Sequence, residues 1–106
     1  MYKIAFYVPA SHLESVKNAL FNKGAGKIGA YDHCCWQTLG TGQFRPLPGS
    51  QPTIGSTHTV ETIEEFLVEM VCEDRLLSAV LAELLNVHPY ETPAYSAWEI
   101  KTHDNP

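Results

Sequence analysis

Positive charge is scarce in this sequence. Lysine and arginine supply only seven of 106 residues, they are scattered along the chain, and the formal net charge is −5. A nucleic-acid partner is disfavoured, because holding a phosphate backbone takes clustered basic side chains. Long apolar runs are missing too: none approaches the roughly 18 residues of a membrane span, so no membrane partner is expected. The opening residues, Met1 to Phe6, read as a strand rather than as a charged head before an apolar signal core, and the expected location is cytoplasmic. Cysteine occurs three times, an odd number, with Cys34 and Cys35 adjacent, which suits reduced thiols better than a disulfide framework. A nucleophile elbow, a Ser/His/Asp order and a metal-hydrolase motif are all absent, so the residues give catalysis no support.

What the chain has is enough apolar content, 44% of its residues, for one core, and too little length for two; a single domain over 1–106 is expected. Four of the seven glycines and three of the seven prolines fall between Gly40 and Gly55. That density excludes a helix interior or a central strand, and it predicts a long functional loop over about 40–57. Phe44, Leu47 and Ile54 within it are more than a solvating linker needs.

In chain order, Tyr2, Ile4, Phe6 and Val8 alternate with Lys3, Ala5 and Tyr7, the pattern of a half-buried strand ended by Pro9. Ser11-His12-Leu13-Glu14 reads as a capping box opening a helix to about Lys23, with Gly24 placed to close it. Gly24, Gly26 and Gly29 mimic a dinucleotide fingerprint, but they follow a helix and lead toward a strand, the reverse of the order phosphate binding requires. A glycine-rich turn is the better reading. Tyr31 to Leu39 is rich in strand formers. Residues 58–73 are ambiguous: apolar side chains alternate with Glu61, Glu65, Glu69 and Glu73 as in a strand with one wet face, while Ile63, Phe66, Leu67 and Met70 also fit a helix. A strand is expected, because a second helix starts at Asp74 with no turn signal between the two. Asp74 opens a second helix with a leucine-rich stripe to Asn86, the run Val87 to Pro93 makes a rigid turn, and Ala94 to Lys101 alternates again. The tail from Thr102 is polar and reads as frayed. Strand, helix, strand, strand, helix, strand is the α+β order of a ferredoxin-like sandwich, an antiparallel four-stranded sheet with two helices on one face. The other face would present Tyr7, Trp36, Leu67, Val71, Tyr95 and Ala97, apolar enough to suggest burial against another subunit.

Gly24 to Cys34, Gly40 to Pro46, Pro52 to Gly55 and His88-Pro89-Tyr90-Glu91 together resemble the domain inserted in the YqfO-type NGG-interacting-factor-like dinuclear-metal proteins. The resemblance covers nearly the whole chain and implies a PII/CutA-like fold and a trimer, with the 40–55 loop where PII-like proteins carry a long signalling loop. The His-Pro-Tyr-Glu-Thr-Pro run is similar to a segment of CutA proteins, which are linked to divalent-cation tolerance and copper. In the larger family the dinuclear site and presumed hydrolytic activity belong to flanking domains, so the chain resembles the insert standing alone and no ligand of that site carries over.

Copper or zinc is the divalent metal that His and Cys ligands would suit. His88 and Glu91 are the best local pair, with His33 as a further candidate, although the spacing matches no zinc pattern. The bland alternative is that His88 and Tyr90 lock the turn by hydrogen bonding. Cys34 and Cys35, neighbours in a strand, would point apart; for Cys35 and Cys72 the alternative to ligation is core packing. The reading that follows is a non-catalytic trimeric binding or sensor module, taking a metal ion or small metabolite in subunit clefts bordered by Gly40, Gly42, Phe44, Arg45 and Tyr90. An interaction scaffold for a larger partner, or a hydrolase by analogy with the larger family, are the alternatives.

Overall fold

The computed structural model describes residues 1–102, so the expectation for the tail beyond Thr102 falls outside the described residues. Four strands form one antiparallel sheet in the order β2-β3-β1-β4: β1 Tyr2–Val8, β2 Trp36–Phe44, β3 Glu61–Cys72 and β4 Tyr95–Glu99. Two helices, α1 Leu13–Asn22 and α2 Leu77–Val87, each entered through a short 3-10 turn, make it the ferredoxin-like, PII/CutA-like sandwich that the element order predicts.

Alternation explains the core. Ile4, Phe6 and Val8 of β1 and Val68, Met70 and Cys72 of β3 share one face and meet Leu13, Val16 and Leu20 of α1 and Val80 and Leu84 of α2. Phe6, fully buried, contributes about 2–3 kcal/mol by leaving water. Helix α1 ends as its glycine predicts. Gly24, at φ 98°, follows the C-cap Lys23; its amide donates to the Phe21 carbonyl and the Ala25 amide to that of Leu20, which satisfies two carbonyls of the last turn. Ala25 is then buried beside Leu20 in the core. Gly26 and Gly29 also have positive φ, and the run lies between α1 and β2 with no helix starting from it, so it is a turn and not a phosphate cradle.

Several expectations are corrected. Ser11 and Glu14 form no capping box: the Ser11 hydroxyl meets Nδ1 of His12 at 2.9 Å, while Glu14 pairs with Lys17 at 3.1 Å. The 3-10 turn ahead of α1 moves Ser11 away from the cap position that this motif needs. Residues 40–44 belong to β2 and not to the loop, which runs over 45–60. Glycine is tolerated there because β2 is an edge strand, and at Gly42 the space of the missing side chain is filled by Glu65. Strand β2 begins only at Trp36, which leaves His33, Cys34 and Cys35 outside it. Finally, Tyr95 and Ala97 face the helices, since they register with Phe6 and Ile4; Ser96 and Trp98, opposite Ala5 and Lys3, take the open face.

Candidate functional site

The loop over 45–60 folds back on itself and onto the turn that follows α2. The His58 amide donates to the Pro46 carbonyl at 2.7 Å, closing the base. Its middle is held as well: the Gln51 amide donates to Glu91 Oε1 at 3.0 Å and the Thr53 hydroxyl to the Pro89 carbonyl at 3.0 Å. Between loop and turn lies a cleft of about 500 Å³. Phe44, Pro46, Leu47, Pro52, Ile54 and Tyr90 give it an apolar wall, and Arg45 and Glu91 bring charge. Among the described residues Arg45 makes no ion pair, so its guanidinium is available to an anionic group.

His88 positions that turn. It is buried, its Nε2–H donates to the Tyr7 carbonyl at 2.6 Å, and its Nδ1 accepts from the Tyr90 amide at 3.1 Å. Only the neutral imidazole with its proton on Nε2 does both. Burial accordingly holds the His88 pKa below its ordinary value, with the Tyr7 carbonyl pulling the other way and His12 adding to the depression. The locked turn is the arrangement that sequence reasoning set against ligation. The Tyr90 ring lies 4.9 Å from that of His88, and its hydroxyl donates to Glu65 Oε2 at 3.4 Å. Burial first, then the charge and hydrogen bond of Glu65, push the Tyr90 pKa up to about 12. Glu65 also lines a second cleft, of about 380 Å³, on the open face of the sheet beside Tyr7, Thr38, Gly40 and Gly42.

The five candidate ligand residues therefore divide. Phe44, Arg45 and Tyr90 meet in the loop cleft; Gly40 and Gly42 line the neighbouring one, and the Tyr90–Glu65 contact joins the two. The candidate metal ligands are not gathered. Both ring nitrogens of His88 are engaged by backbone, Glu91 receives the Gln51 amide, and His33 stands apart with its ring 4.8 Å from Phe21 and its Nδ1 3.2 Å from Asp32. No group of three or more His, Cys, Asp or Glu residues able to hold a metal ion exists among the described residues. Cys72 is buried in the core, where burial pushes its thiol pKa up, whereas Cys35 is exposed. Sequence reasoning missed Glu65 as a partner of Tyr90, and Gln51 and Thr53 as tethers. Those contacts span 25, 40 and 36 residues, and no local pattern encodes them.

No family model matches the chain. It is 43% identical over 98 residues to a GTP cyclohydrolase 1 type 2 homolog of Mycobacterium leprae, an alignment that covers 92% of this chain and 26% of that protein. The crystal structure of a Bacillus cereus protein related to NIF3 superposes with a TM-score of 0.82 at 34% identity, over 95% of this chain and 26% of that one. The periplasmic divalent cation tolerance protein CutA of Archaeoglobus fulgidus shares the fold, with a TM-score of 0.67 at 20% identity, over 96% of this chain and 86% of CutA. The chain thus spans about a quarter of the length of the curated relatives it matches. Its sequence identity and its sandwich fold together make the chain homologous to about a quarter of the length of NIF3-related proteins, a segment with the PII/CutA-like fold.

Proposed function

We propose that the chain is a binding or sensor module whose ligand is a small molecule with an apolar body and an anionic group, held between the 45–60 loop and the 88–93 turn. The observation that carries this reading is the cleft itself: an apolar wall, one guanidinium with no ion pair among the described residues, and both sides fixed by hydrogen bonds before any ligand arrives. Preformed, mostly apolar clefts with a few placed polar groups are what small-molecule sites look like. The module works as a homo-oligomer, a trimer by analogy with the PII/CutA fold. Tyr7 and Trp98 on the open face support that assembly, being 41% and 42% exposed, a large apolar display for a lone subunit.

Divalent-cation binding, suggested by the name of the CutA protein that shares the fold, finds less support at His88, whose nitrogens are already committed. A cyclohydrolase reaction, suggested by the name of the relatives, concerns proteins of about four times this length. The test is a thermal-shift and ligand-observed NMR screen of small carboxylates and nucleotides against the wild type and Arg45→Ala. A ligand that stabilises the wild type and loses roughly tenfold or more in affinity on Arg45→Ala supports the reading; equal binding to both, or no ligand from the panel, refutes it.

A further inference from the structure

An adjacent cysteine pair in a strand points to opposite faces, but the structure removes that restriction here. Cys34 and Cys35 precede β2 in irregular backbone, directly after His33, whose φ of 56° turns the chain. The Cys34 amide donates to the Gly26 carbonyl at 2.8 Å and the Gly26 amide to the Val71 carbonyl of β3 at 2.8 Å, so the segment is stapled to the sheet. Both cysteines then line one cleft of about 240 Å³, walled by Ile28, Trp36 and Val71, with Lys3 and Glu69 at its edge. Both are free thiols; Cys34 is half-buried and Cys35 exposed.

The number of ligands decides what such a site takes. Structural zinc needs four donors, and no group of even three His, Cys, Asp or Glu residues able to hold a metal occurs among the described residues. What remains is a thiophilic centre satisfied by two sulfurs. We propose that Cys34 and Cys35 form a dithiol site for a monosubstituted trivalent arsenical, whose organic group lies against Ile28 and Trp36. An arsenoxide, R–As=O, reacts with the two thiols: two As–S bonds form, the As–O bonds break, and the oxygen leaves as water carrying both thiol protons. Arsenic stays trivalent throughout, so no oxidant or reductant is needed. Closure of the second As–S bond is intramolecular, and its effective concentration exceeds that of a free monothiol competitor.

The experiment uses the full reduced chain, treated anaerobically with one equivalent of phenylarsine oxide, challenged with excess glutathione and weighed by intact-protein mass spectrometry. The wild type keeps one adduct, at the mass of the reagent less one water. Cys34→Ser and Cys35→Ser each lose roughly tenfold or more of that retention, because a single sulfur is displaced by glutathione. Cys35 is exposed, so its substitution leaves the fold intact, which far-ultraviolet circular dichroism verifies. A wild type without a glutathione-resistant adduct overturns the proposal, and so does equal retention by a folded Cys35→Ser.

Discussion

Replacing His88 with alanine removes the fastening between the end of β1 and the turn that walls the loop cleft. Two backbone groups lose their partner at once, the Tyr7 carbonyl and the Tyr90 amide. Each costs about 1–3 kcal/mol when left unsatisfied away from water, and partial access of water after truncation puts the expected loss at roughly 2–4 kcal/mol. In urea denaturation followed by tryptophan fluorescence at neutral pH, an m-value of about 1–1.5 kcal/mol/M converts this into a midpoint lowered by roughly 2 M. The sign of the pH dependence follows from the depressed pKa. Between the folded-state pKa and the ordinary value of 6.5 the unfolded chain binds a proton that the folded chain refuses. Stability from this group is therefore fully present above 6.5 and is lost as pH falls toward the folded-state value. His88→Gln, which keeps a donor and an acceptor but does not titrate, isolates the effect: the wild type should lose more stability than His88→Gln between pH 7 and pH 5. A loss of less than about 0.5 kcal/mol for His88→Ala, or identical pH profiles for the wild type and His88→Gln, would refute the reasoning.

Two further outcomes are expected. Tyr90 should titrate near 12 in an ultraviolet difference titration against Tyr90→Phe, and in Glu65→Gln its pKa should fall yet stay above 10, because burial is the larger cause. Folded Tyr90 keeps its proton between 10 and about 12, so its share of stability is lost as pH rises through that window; a pKa unmoved by Glu65→Gln would show that the two groups do not interact. Gly26→Ala combines a φ of 79° with a Cβ placed 2.7 Å from Phe21 Cε1 and 2.8 Å from the Cys34 carbonyl oxygen. It should cost about 2 kcal/mol or more and lower Tm by roughly 8 °C, and an unchanged thermal transition would show that the turn rearranges freely.

The fold was legible where elements carry a clean period. Tyr2 to Val8 alternates over its whole length and the leucine stripe of α2 admits one reading, whereas Glu61 to Cys72 is interrupted by Glu64-Glu65 and Phe66-Leu67-Val68 and is identified as a strand by the helix start that follows it directly. Legibility failed where a strand does not choose its own face. In β4 the two faces, Tyr95 and Ala97 against Ser96 and Trp98, are about equally apolar, and the pairing with β1 decides between them. Glycine content misled at Gly40 and Gly42, because propensity cannot see that a strand lies at an edge or that Glu65 fills the space above it. Strand formers misled at Cys34 and Cys35, where the bond to Gly26 outweighs local preference. The turn around His88 was readable from its prolines. The cleft was not, since its two sides come from segments about 40 residues apart.

Strand β3 outruns its neighbour in the sheet. Only residues 66–72 pair with β1, whereas 61–65 are paired to β2 alone, so the outer end of β2 and β3 is a two-stranded ribbon that carries the 45–60 loop at its tip. Five residues at about 3.4 Å each make an arm of roughly 17 Å. Two-stranded ribbons twist more than full sheets do, and this one is braced at Glu65 by Tyr90, close to where it leaves the sheet. Mechanically it is an arm held at two points, at its root by the Tyr90–Glu65 contact and beyond its tip by the Gln51 and Thr53 tethers, so the short 88–93 turn braces the ribbon at both ends.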